Sequence, residues 1–242
     1  MNLSNNKILI TGGATGIGLG LAERFIKEGN TVLICGRRAD ALAEAAAKFP
    51  NLITKQADVA TAEGRQELYN WIAANHSDLT VLVNNAGMQN WMQLNDADFF
   101  ERAKQEIAVN IEGPVHLAQL FSNLPGLQTL INVTSGLAFT PLVKTPVYSA
   151  TKAFMRSFTL SLRQLLKEKN IEVIEMIPPA LNTDLGGKGL HDFAPPVSAF
   201  IEAVFEQLKQ GKTELTFGFS EAMLNAGPAE LQQTFARMNV TN

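Results

Sequence analysis

The chain has 242 residues, 46% of them hydrophobic and 18% charged, which suits one large α/β domain over residues 1–242 better than two small ones. A net charge of −3 and a pI near 5.7, with no lysine or arginine block, speak against nucleic acid or an anionic membrane surface as partner. The single cysteine, Cys35, excludes an intrachain disulfide and a cysteine-based metal site.

No apolar run approaches the length of a membrane span, and the polar start "MNLSNNKILITGG" lacks the layout of a signal peptide. A cytoplasmic protein without metal or membrane contact is expected. "KILIT" (7–11) reads as a strand and "GLGLAERFIKEG" (18–29) as a helix closed by Gly29. "TVLICG" (31–36) is a second strand, followed by an alanine-rich helix ending near Pro50. Strands are expected at 52–58 and 79–85, with a helix around "GRQELYNWIAANH" between them. Helices at 96–109 and 114–122 precede a strand at 127–135. The next helix holds Tyr148 and shows Phe154, Phe158, Leu162 and Leu165 at helical spacing. A strand at 171–177, a helix at 196–210 and a short strand at 214–217 complete the pattern.

Strands alternating with helices of this length imply right-handed crossovers and a parallel sheet covered on both faces. Such sheets bind ligands beyond the carboxyl ends of their strands. The polar clusters fall at those ends: 11–18, 36–38, Asp58, 84–87, Ser135 and 178–184.

"ITGGATGIGLG" follows the first strand and opens the first helix. Gly12, Gly16 and Gly18, with Thr15 and Ile17 among them, allow a tight turn whose amides and helix N-terminus can face a pyrophosphate. At the end of the second strand a dinucleotide site usually shows an acid for the ribose. Here Gly36 stands in that place and Arg37 and Arg38 follow. Arginine's planar fork suits a phosphate, so NADP(H) is preferred and NAD(H) remains possible.

"VYSATKAF" (147–154) places Tyr148 four residues before Lys152, on one helix face. A phenol is a poor proton carrier at neutral pH, and an adjacent ammonium is expected to lower its pKa. The three histidines, His76, His116 and His191, suit no metal pair. His76 reads as a helix-end residue, His116 as part of a helix face, and His191 as a loop residue able to touch substrate.

"TGGATGIG", "NNAG" (84–87), "VNIEGP" (109–114), "VTSG" (133–136) and "YSATK" (148–152) occur in this order. Together they resemble the short-chain dehydrogenase/reductase family in its compact single-domain branch, from about residue 5 to 185. "ICGRR", "NNAGMQ" and "PPALNTDL" are similar to the DltE-type oxidoreductase subgroup. The family implies a Rossmann-like doubly wound sheet of about seven strands in the order 3-2-1-4-5-6-7, and a homodimer or homotetramer built on the helices before and at Tyr148. It implies that Asp58 and Val59 contact adenine, that Asn85, Ala86 and Gly87 support the central strand and the adenine ribose, and that Thr183 contacts the nicotinamide carboxamide.

The same resemblance makes Ser135, Tyr148 and Lys152 a catalytic triad with Asn110 as a fourth member. Tyr148 is then the general acid/base for a carbonyl or alcohol substrate, and Ser135 binds the substrate oxygen. Lys152 holds the nicotinamide ribose, while a helix kink at Asn110 frees a carbonyl for a water leading to that lysine. Asn84 is expected to be partly structural. Pro179 stands where the family usually has glycine, which changes the chain path beside the nicotinamide. Trp91, Met92, Leu137, Phe139 and Leu142, with a substrate loop at 184–195, are expected to wall an apolar pocket. A cofactor-binding sensor without turnover, or an epimerase of the family's extended branch, are the competing readings; the complete triad opposes the first and the glycine spacing the second.

Overall fold

Each strand is a short apolar run followed by a helix that returns the chain to the opposite edge, so successive strands lie parallel. The computed structural model, which describes residues 1–240, has strands β1 (Lys7–Thr11), β2 (Thr31–Gly36), β3 (Ile53–Gln56), β4 (Val81–Asn84), β5 (Thr129–Val133), β6 (Glu172–Ile177) and β7 (Glu214–Thr216). They pair in parallel in the order 3-2-1-4-5-6-7, as the motifs implied. The order reverses between β1 and β4, where a crevice opens at the carboxyl edge.

Side chains alternate across the sheet. Ile8, Ile10, Val32, Ile34, Val81 and Val83 bury one face under α1 (Gly16–Lys27), α2 (Ala39–Lys48) and α7 (Val197–Lys209). Leu9, Leu33, Leu82 and Leu130 bury the other under α3 (Ala62–Asn75), α5 (Gly113–Phe121) and α6 (Pro146–Leu165). Each fully buried leucine or phenylalanine contributes roughly 1.5–3 kcal/mol. Two covered faces explain why the strands read as continuous apolar runs.

Several strands are shorter than their apolar runs, because polar residues at the carboxyl edge leave the ladder for local partners. Ala57 and Asp58 lie outside β3: the Ala57 amide makes a last bond to Gly36 O of β2, and the Asp58 carboxylate then turns to accept from the Ala60 amide at 3.0 Å. The expected break between two helices is instead one widened turn. Helix α4 (Phe99–Ile107) runs into a π-helical stretch, Ala108–Glu112, and then α5. Pro114 has no N–H to offer Asn110 O, its α-helical partner, and the turn takes up an extra residue. After β7 come two helices that the apolar periodicity did not reveal, α8 (Phe219–Asn225) and α9 (Pro228–Met238). Helix α9 opens on Pro228, with the Gly227 amide donating to Glu230 at 2.9 Å.

Candidate active site

The turn after β1 is shaped by close approach. Gly12 (φ +62°) and Gly16 (φ +54°) occupy the left-handed region, and a Cβ on Gly18 would sit 2.4 Å from Gly12 O, so only glycine fits there. The first bond of α1 runs from the Leu19 amide to Thr15 O. The amides of Gly16, Ile17 and Gly18 therefore precede the helix ladder. Thr15 makes no side-chain cap and no acid stands in the first turn. A Cβ on Gly16 would meet only Thr183, at 3.4 Å, which brings the loop after β6 across from this cradle.

Arg37 and Arg38 stand exposed past β2, in no ion pair among the described residues. Asp58 and the buried Val59 lie beyond β3 on the same edge. The side-chain amide of Asn85 donates to Thr11 O and Gly12 O, at 2.9 and 3.1 Å, and locks the glycine turn to the end of β4. Asn84 is buried and donates to Asn132 at 3.0 Å, the structural duty expected of it. These groups fit a dinucleotide: amides and a helix terminus for a pyrophosphate, and unpaired guanidinium groups for a further phosphate.

Ser135, at the end of β5, and Tyr148 and Lys152, one turn apart on α6, come together beneath the crevice, all three buried. Lys152 Nζ donates to Val133 O at 2.9 Å and lies 5.5 Å from the centroid of the Tyr148 ring. Burial pushes the Tyr148 phenol up to about 12; the Ser135 hydroxyl pulls it down and the charge of Glu106 pushes it up. Burial pushes Lys152 down to about 8. The expected depression of the phenol by Lys152 is therefore corrected. Taking both groups out of water disfavours phenolate and ammonium alike, and the carbonyl that Lys152 binds brings no charge to the phenol.

Asn110 works through its side chain. Its Oδ1 accepts from the Met88 amide, and its Nδ2 donates to Met88 O and Thr151 Oγ1, at 2.8, 2.8 and 3.1 Å. One helical turn earlier, the buried Glu106 accepts from the Asn90 amide, and a turn before that Arg102 Nη1 donates to Trp91 O at 2.9 Å. Arg102, Glu106 and Asn110 thus fasten the extended strap 88–92 along one helix face. Burial pushes Glu106 up to about 7, against the Asn90 hydrogen bonds and the charge of Arg102.

The strap, the segment after β5, the loop 184–195, residues 217–219 and the end of α9 enclose a cavity of about 530 Å³ beside Ser135 and Tyr148. Trp91, Leu137, Leu142 and His191 line it as expected. Met92 and Phe139 do not. Met92 is buried with its amide donating to Lys144 O, and the Phe139 ring packs against the Arg156 guanidinium, 4.4 Å from its centroid. Gln89, Phe217, Phe219 and Met238 also line the wall and were missed. "TFGF" (216–219) was the available signal for two of them. Of the other histidines, His76 caps the end of α3, and His116 Nδ1 accepts from Arg65 Nε at 3.0 Å.

A model of the short chain dehydrogenase family matches residues 6–192. The uncharacterized oxidoreductase DltE of Bacillus subtilis (strain 168) is 42% identical over 99% of this chain and 98% of that protein. The NADP-dependent 3-hydroxy acid dehydrogenase YdfG of Shigella flexneri is 32% identical over 71% of each. A solved structure of a short chain dehydrogenase from Burkholderia cenocepacia J2315, in complex with NADP, matches 100% of both chains with a TM-score of 0.83 and 23% identity, a likeness of fold.

Glu106 sets a pH dependence. Between its ordinary value of 4.5 and about 7, the folded chain keeps a proton that the unfolded chain has lost, so its contribution falls as pH rises through that window. Glu106→Gln keeps an acceptor for Asn90 and removes the titration. Chemical denaturation of the two proteins at pH 5 and pH 8 should show the variant gaining on the order of 1 kcal/mol relative to wild type at the higher pH. A difference independent of pH would sink the assignment.

Proposed function

The chain belongs to the short chain dehydrogenase/reductase family, among its DltE-type oxidoreductases, and on that premise we propose that it is an NADP(H)-dependent enzyme moving a hydride between nicotinamide and a carbonyl or alcohol. The observation that carries the reading is that buried Ser135 and Tyr148 line one apolar cavity, with buried Lys152 one turn behind Tyr148, 5.5 Å from its ring centroid. The dinucleotide, when bound, supplies the hydride in reduction and takes it up in oxidation. Gly12, Thr15, Gly16, Ile17 and Gly18 would cradle its pyrophosphate. Asp58, Val59, Asn85, Ala86 and Gly87 would hold its adenosine end, with Lys152 and Thr183 at the nicotinamide end.

Tyr148 gives its phenolic proton to the carbonyl oxygen as the alcohol forms, and takes one back in the reverse direction. Ser135 steadies the developing charge on that oxygen. Lys152, lowered to about 8 by burial, still carries its charge at neutral pH; an anionic cofactor beside it favours that charge further, and the ammonium stabilises the phenolate that Tyr148 becomes on giving up its proton. Asn110 acts here as a positioning residue, holding Met88 and Thr151 around the site.

The loop 184–195 serves as the substrate wall. The name of the Shigella relative specifies a hydroxy acid. Among the described residues no lysine or arginine lines this cavity, so a carboxylate would meet no permanent positive charge in it, and we assign a neutral substrate instead. Arg37 and Arg38, with no acid at Gly36, support NADP(H) over NAD(H). Helices α4 and α6 expose Phe100 (69%), Phe154 (45%) and Leu165 (68%), apolar surface that supports a homodimer or homotetramer.

Three measurements test this reading. NADPH absorbance over a panel of neutral aldehydes, ketones and quinones should fall with the wild type and slow by roughly 10²–10⁴-fold with Tyr148→Phe; equal rates would remove Tyr148 from the chemistry. Arg37→Ala should weaken NADPH binding by about 10–100-fold and NADH binding little, and equal losses would refute the cofactor preference. Sedimentation of the wild type should give a dimer or tetramer, and Phe154→Asp with Leu165→Asp should shift it toward monomer. A monomeric wild type would end the assembly proposal.

A further inference from the structure

Gln89 and His191 both line the cavity, and each carries a buried atom with no hydrogen-bond partner: Gln89 Oε1 and His191 Nδ1. Leaving a buried polar group unpaired is costly, so two on residues that line one cavity point to something outside the chain that pairs with them. Gln89 is only 8% exposed and cannot swing away to find a partner. The residues on either side are clamped: the Met88 amide donates to Asn110 at 2.8 Å, and the Asn90 amide donates to the buried Glu106. From above, the substrate loop closes on the same amide. Gly186 has φ +83°, and a Cβ there would stand 3.0 Å from Gln89 Oε1. His191 comes from that loop too, with its ring edge-on to Phe193 at 6.3 Å.

The rest of the wall restricts what can pair with them. Among the described residues no Asp, Glu, Lys or Arg lines the cavity, so a carboxylate, phosphate or ammonium would meet no permanent counter-charge there. A hydroxyl both donates and accepts. It can donate to Gln89 Oε1, and it satisfies His191 Nδ1 in either tautomer. We propose that Gln89 and His191 form a polar subsite that reads a hydroxyl on an otherwise apolar, neutral substrate, at a position remote from the carbonyl or alcohol that reacts. The subsite rests on the reading of the cavity as the place of hydride transfer, and it names the substrate class: a neutral hydroxy-ketone, or the corresponding diol, with an apolar body.

The test uses three matched ketones: 4-phenylbutan-2-one, its 4-hydroxyphenyl analogue, and 4-(3-oxobutyl)benzoic acid. Calorimetric Kd with the NADP+-loaded protein and kcat/KM with NADPH are measured for the wild type, Gln89→Leu, His191→Phe and the double variant, after thermal unfolding has shown that each is folded. The wild type should favour the hydroxyl compound over the unsubstituted one by at least about tenfold and bind the acid weakest. The ratio of hydroxyl to unsubstituted ketone should fall toward one in the double variant. Gly186→Ala, which presses a methyl group toward the Gln89 amide, should lower the same ratio. A wild-type ratio near one, a ratio unchanged in the double variant, preference for the acid, or failure of all three ketones to bind would each overturn the subsite. Selective binding with no reduction would leave the subsite standing and defeat the catalytic reading. Reduction without selectivity would do the reverse.

Discussion

A line of polar side chains down helix α6 ties the end of the helix that carries Tyr148 to the sheet. Tyr148, Lys152, Arg156, Thr159 and Arg163 recur at helical spacing on one face, where a helix packed on a sheet would ordinarily be apolar. Lys152 donates to Val133 O at 2.9 Å, Arg156 to Glu175 at 2.6 Å and Arg163 to Val173 O at 3.2 Å, while Thr159 accepts from Asn132 at 2.9 Å. Apolar contact tolerates sliding by a fraction of a residue; hydrogen bonds at fixed sites do not. These ties set the axial position and rotation of α6, and with them where Tyr148 stands against Ser135. Glu175, fully buried in β6, binds Thr134 at 2.7 Å as well as Arg156. One carboxylate therefore braces both the residue before Ser135 and the turn after Lys152. Removing one partner of such a buried pair leaves the other uncompensated.

The opposite wall is held by a different device. The π-helical turn at Ala108–Glu112 carries Asn110 on the same side as Glu106 and Arg102, and these three fasten the strap 88–92. The glycine turn and the cavity wall consequently share a scaffold: β4 leads through Asn85, which locks the glycine turn, straight into Gln89 and Trp91. Only a few residues of backbone separate the two.

Much of this was legible in the chain itself because the signals were local. Glycines between a strand and a helix, a tyrosine one turn from a lysine and asparagines at a strand end each report a backbone or side-chain need at a fixed short spacing. The strand order followed from the family pattern. What escaped were features made by distant parts of the chain. Glu106 and Gln89 look in sequence like ordinary solvent-facing residues, and only the folded strap buries them. Phe217, Phe219 and Met238 reach the cavity from beyond the last strand, while Met92 and Phe139 turn away from it. The phenol of Tyr148 was misjudged because a neighbouring charge can be read from spacing, whereas desolvation depends on everything packed around it.

The last helix has a bearing on how the protein is made. Asn239, just past α9, donates to Pro141 O at 3.0 Å and accepts from the Val143 amide at 2.7 Å, which brings Met238 into the wall of the cavity. The glycine turn and Asn85 are translated early, and Tyr148 somewhat later. On the ribosome the glycine turn and Asn85 thus emerge well before the residues that close this side of the cavity. A nascent chain stalled before α9 would lack Met238 and Asn239, and with them one wall of the chamber.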